Sequence, residues 1–181
     1  MITKYIIAFV WGLAEATVFF IVPDVWLTII FRKRIDNKLV SAIFLTTAGA
    51  ICGGIIMYAF GRFLPDKTWN LLRLIPGINL QLLSKVQSQM LENGLLALAS
   101  GPLQGIPYKI FAVNWGIVKG DLFLFCLISI PARSIRFVFS LIIVRTAFIV
   151  FEKKAKISNN TSLCIVLSFW VIFYFFYFYS L

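Results

Sequence analysis

The stretch from Leu95 to Lys119, LLALASGPLQGIPYKIFAVNWGIVK, is apolar enough to cross a bilayer, yet it is interrupted at its middle. Gly101-Pro102 and Gly105-Ile106-Pro107 break it twice within seven residues. Proline lacks a backbone donor and clashes with the preceding turn, so two short helical arms are expected around irregular backbone. Lipid tails offer no hydrogen bonds. Such backbone therefore needs protein or a water-filled cavity around it, and Lys109 just beyond the break adds a charge with the same need.

Composition agrees with a membrane setting. Of 181 residues, 61% are hydrophobic and 13% charged, with 19 Phe, which is too apolar for a soluble domain of this size. Met1 to Phe31 has no small-residue cleavage site and carries Glu15 and Asp24 inside its apolar run, so it is expected to remain in the mature protein. The net charge of +10 would suit nucleic acid, but the cations lie mostly in short loops between apolar runs, and no nucleic-acid partner is expected. Cys52, Cys126 and Cys164 stand singly and the chain has no histidine. That argues against zinc, haem-histidine and histidine-dependent chemistry, so neither metal nor cofactor is expected.

Taken in order, Tyr5 to Phe31 is long enough to span, but Pro23-Asp24 divides it into a long and a short arm. Lys4 on one flank and Arg32-Lys33-Arg34 with Lys38 on the other favour one cytoplasmic face, hence a re-entrant hairpin over 5–31 rather than a kinked span. Leu39 to Leu64 reads as a spanning helix in which Gly49 and Gly53 permit close helix approach. Hydrophobicity falls over 65–93. Beyond Pro76-Gly77, Leu80, Leu83, Val86, Met90 and Leu91 recur at helical spacing, an amphipathic linker that either lies at the interface or covers the bundle.

The broken run over 95–119 then forms a second re-entrant hairpin from the opposite face. Asp121 to Phe151 is a long span carrying Pro131, Arg133 and Arg136, and arginines three apart share a helix face. Glu152, Lys153, Lys154 and Lys156 mark a cytoplasmic loop, and 161–181 is a last span whose tyrosines suit an interfacial belt. The expectation is a single all-α integral membrane domain over 1–181, with two opposed re-entrant helical hairpins and about three spanning helices.

Three motifs, in this order and spacing, resemble the DedA superfamily, also called SNARE-associated Golgi or VTT-domain proteins, and within it the short YqaA-like branch. They are AEATVFFIVPDVWL, AGAICGGIIMYAFGR and SGPLQGIPYKIFAVNWG, and the likeness runs from about Gly12 to Phe137. Many members carry Arg-Phe-x-Pro-x-x-Arg in the second loop, whereas this chain has Ser100 to Pro107 with Lys109 as the nearby cation. The first loop has Asp24 where many members have Gly-Glu. The resemblance implies a DedA-like bundle in a bacterial inner membrane. It also implies a lipid transporter or scramblase for phospholipid or undecaprenyl (polyprenyl) phosphate, with proton coupling and homo-oligomerisation as open options.

Five ionisable groups fall at membrane depth: Glu15, Asp24, Lys109, Arg133 and Arg136. An Asp, Lys or Arg at a helix centre costs about 2.5 to 3.5 kcal/mol on insertion scales, so the five should face one another or water. One reading is an internal set of ion pairs joining the hairpins. The other makes Lys109, Arg133 and Arg136 a cationic pocket for lipid phosphate, assisted by loop amides at Gly101 and Gly105, with Pro23, Pro102 and Pro107 setting the breaks. Glu15 and Asp24 would balance the empty site or exchange protons. The excess of positive charge favours an anionic ligand. No serine is paired with a base and no aspartate cluster could hold metal, so an enzyme is not expected; a non-transporting scaffold or assembly factor is the alternative.

Overall fold

The computed structural model describes residues 2–31, 37–154 and 158–179. Arg32, Lys33, Arg34 and Lys156, which belong to the basic flanks, lie outside the described residues. Among those described, the chain is all-helical: α1 Ile2–Thr17, α2 Asp24–Phe31, α3 Asn37–Phe63, α4 Pro65–Leu72, α5 Leu80–Asn93, α6 Leu95–Ser100, α7 Tyr108–Ile117, α8 Leu122–Lys154 and α9 Asn159–Tyr179. Three of them, α3, α8 and α9, are long and apolar enough to cross a membrane. The protein is accordingly a membrane protein.

Both breaks follow from local chemistry. After α1, Pro23 has no N–H to continue a helix and disfavours helical backbone at Val22. The Thr17 hydroxyl donates to the carbonyls of Leu13 and Ala14, and the Phe19 amide to that of Ala14, so the end of α1 is closed by its own residues. In the second break, Gly101–Gln104 tightens to a 3-10 turn, and Gly105 takes the left-handed backbone at φ +79° that glycine adopts without strain. The Ile106 amide returns to the Gly101 carbonyl at 3.2 Å, and Pro107 leads into α7.

Small residues draw the helices together. α1 packs along α3 so closely that a Cβ on Gly49 would strike the Phe9 carbonyl, and one on Gly53 would sit 2.7 Å from the Leu13 carbonyl oxygen. Close approach of this kind is how membrane helices associate when no hydrophobic drive separates lipid from leucine. The same device joins α3 to α7, where Gly61 meets the Val113 backbone and Gly116 meets that of Tyr58.

α2 lies beside α1: the Trp11 ring stacks on Trp26 at 6.0 Å, and its indole N–H donates to the Ile21 carbonyl at 3.0 Å. Leu27 and Phe31 of α2 then cluster with Leu39 and Ala42 of α3 and with Phe137 and Leu141 of α8. In α5, Leu83, Val86 and Met90 are buried in the same core as Ile110 and Phe111 of α7, so the apolar face of this amphipathic helix covers the bundle. α8 continues as helix through Pro131.

Candidate functional site

The two breaks meet near the centre of the bundle. Lys109, in the first turn of α7, is 1% exposed and donates from Nζ to the Phe19 carbonyl in the first break, at 2.6 Å. Beside them α8 presents Arg133 and Arg136, and each takes one carboxylate from the first broken segment. Arg133 pairs with Glu15 of α1. Arg136 pairs with Asp24 at the start of α2, at 3.1 Å.

The environments of these pairs differ. Arg133 is fully buried, and its guanidinium lies 5.0 Å from the Tyr108 ring and 4.9 Å from that of Phe137. Its Nε and Nη1 have no hydrogen-bond partner, so the ring faces carry part of the stabilisation of the cation. Arg136 keeps 15% of its side chain exposed and opens onto a cavity of about 710 Å³. Glu15, Asp24 and Lys109 line the same cavity, and Asp24 presents one carboxylate oxygen, Oδ1, that accepts no hydrogen bond.

Most of the remaining lining is apolar. Beyond Arg136, α8 contributes Phe139, Ile143 and Val144, and α9 contributes Phe169, Trp170, Phe173 and Tyr174. Phe148 of α8 clusters with Val166 and Trp170 of α9, and the cavity lies against this cluster. Phe139 is 57% exposed and Phe169 47% exposed although both line the cavity, so it opens outward between α8 and α9. One chamber thus joins a charged floor to an apolar, side-opening wall.

No protein-family model, curated protein or solved structure matches this chain. The cavity is read from its own chemistry.

Of the residues that the sequence singles out for ligand contact, Lys109, Arg136 and Gly105 line the cavity, as do Glu15 and Asp24. Arg133 lies behind that surface, and Gly101 is held against the Phe111 ring, with no room for a Cβ. Pro107 lines the cavity, Pro23 is buried ahead of α2, and Pro102 sits in the 3-10 turn.

Sequence reasoning placed α9 as a span but missed its part in the site. Tyr174 reads as part of an interfacial belt, yet its hydroxyl turns inward and accepts from the Val22 amide in the first break, at 2.8 Å. Trp170 donates from Nε1 to Thr28 Oγ1 at 2.9 Å, so α9 is tied twice to the first broken segment, at the break and at α2. Nothing in the aromatic run around Tyr174 distinguishes it from its neighbours. Tyr108 was also missed: it is fully buried and bonds Ser129 at 2.9 Å. A polar ring next to an intramembrane lysine was the available signal.

Proposed function

We propose that this protein is a membrane transporter or scramblase that moves a phosphate-bearing lipid, a phospholipid or a polyprenyl phosphate, across a bacterial inner membrane. The observation that carries this reading is Lys109. Two arginines each hold a carboxylate, while the Lys109 ammonium, with three donors, meets one backbone carbonyl in the wall of an amphipathic cavity. The five charges sum to one positive, which an anionic headgroup would neutralise, and such a group gains most where water is scarce.

The remaining steps follow from the lining. A lipid entering between α8 and α9 lays its chains on Phe139, Phe169 and Phe173 and brings its phosphate to Lys109 and Arg136. Arg136 has the planar fork suited to two phosphate oxygens, and Asp24 holds that fork in place while the site is empty. The two broken segments, read as opposed re-entrant hairpins of the DedA kind, bring irregular backbone to the depth where a headgroup has to cross. The reading is non-enzymatic.

The test is movement of fluorescent phospholipid and of polyprenyl phosphate in phosphatidylcholine vesicles containing the full chain. Lys109→Met is expected to slow movement at least about tenfold, the loss of one charge-assisted contact, while the protein stays folded. Folded wild-type protein that moves neither lipid would leave the scaffold reading in its place. For topology, single cysteines replacing Lys4 and Lys38, in a chain freed of Cys52, Cys126 and Cys164, are expected to label from the same side of the membrane. Labelling from opposite sides would refute the first re-entrant hairpin.

A further inference from the structure

A second pocket, of about 540 Å³, adjoins the first, and Gln104 lines both. Its other walls come from Gln89 and Asn93 of α5 and from Leu96, Ala99 and Ser100 of α6, and no charged side chain lines it. The carboxamides of Gln89, Asn93 and Gln104 hold no hydrogen bond to the described residues. Asn79 and Asn114, by contrast, are committed to helix backbone, at Leu82 and Ile110. Ser100 donates its proton to the Leu96 carbonyl, which leaves its oxygen free to accept.

A carboxamide both donates and accepts, as does a ring hydroxyl. Three carboxamides around one pocket without charged side chains therefore complement a polyhydroxylated ring, which both donates and accepts and needs no countercharge. The pocket shares Gln104 with the charged chamber, on the turn that precedes Gly105 and Lys109.

We infer that this pocket takes the uncharged, hydroxyl-rich group of a lipid whose phosphate sits at Lys109, so that the cargo is a phosphodiester bearing a sugar or cyclitol rather than a bare phosphomonoester. The inference rests on the phosphate reading of the larger cavity. The hydroxylated head can sit on a diacylglycerol or on a polyprenyl chain, and the recognition chemistry is the same.

Two matched pairs of probes test it, each titrated against the full chain in phosphatidylcholine nanodiscs: phosphatidylinositol against phosphatidic acid, and polyprenyl phosphoryl-hexose against polyprenyl phosphate. The hydroxylated member of at least one pair is expected to bind on the order of tenfold tighter, as two added neutral hydrogen bonds would give. Which pair responds identifies the tail. The variant combining Gln89→Ala and Asn93→Ala, at positions that line only the second pocket, should bring the ratio close to unity and leave phosphatidic acid binding unchanged. Equal binding within both pairs, or a preference that survives the variant, would overturn the inference. If that happens while Lys109→Met still weakens all four probes, the phosphate reading stands and only the headgroup assignment fails; indifference of all four to Lys109→Met would overturn both.

Discussion

Arg133 and Arg136 lie one helical turn apart on α8, carry the same charge and each pair with an acid of the first broken segment, yet only one of them faces the cavity. Arg133 is enclosed by Tyr108, Phe137 and Glu15; Arg136 opens with Asp24 onto the larger cavity. An enclosed cation behaves as structure, because removing its partner strands a charge that nothing else can solvate. A pair on a cavity wall can exchange its partner for a ligand. Residues with identical sequence credentials are separated by what stands around them.

The largest effect expected is on the enclosed pair. Glu15→Gln should destabilise the protein by about 3–5 kcal/mol in detergent unfolding, and adding Arg133→Met to Glu15→Leu should recover much of that by replacing the pair with apolar volume. Asp24→Asn should cost clearly less. Equal losses from Glu15→Gln and Asp24→Asn would erase the distinction between the two pairs.

Arginine-to-lysine exchange sharpens it. Arg136→Lys keeps the charge but loses the planar fork, so lipid phosphate binding should fall by roughly tenfold while unfolding shifts little. Arg133→Lys should do the reverse, lowering stability through the lost ring contacts, with phosphate affinity largely kept in the folded fraction. Lipid affinity unchanged in both variants would leave both arginines as structural and the ligand to Lys109 alone.

The smallest effect concerns the wall shared by α9 and the first break. Tyr174→Phe removes the acceptor of the Val22 amide, a loss of about 1 kcal/mol or somewhat more, because that N–H has no helical partner to return to. Lipid movement should change more than stability does, since Tyr174 also lines the cavity. A Tyr174→Phe protein with both quantities at wild-type values would show that α9 is held by its apolar contacts.

Much was legible before any coordinates. Proline and glycine act through the residue's own backbone and that of its neighbours, so the breaks at Pro23 and at Gly101 to Pro107 could be read from spacing. Hydrophobic length marked the spanning helices for the same reason, since bilayer thickness is a property of the surroundings that the chain has to match. The need for intramembrane charges to find company also follows from each residue alone.

Which charge met which partner did not. Glu15 and Arg133 are 118 positions apart, and no local rule distinguishes that pairing from Glu15 with Arg136 or with Lys109. The inward turn of Tyr174 and the burial of Arg133 behind Tyr108 depend on how α1, α7, α8 and α9 pack, which is set by backbone approach at glycines such as Gly49, Gly53, Gly61 and Gly116. The sequence alone therefore determined a broken, charged, membrane-embedded helical bundle. Only the tertiary structure decided that one arginine is sealed in and the other faces a cavity, because burial is a property of the whole packed bundle and not of any window of the chain.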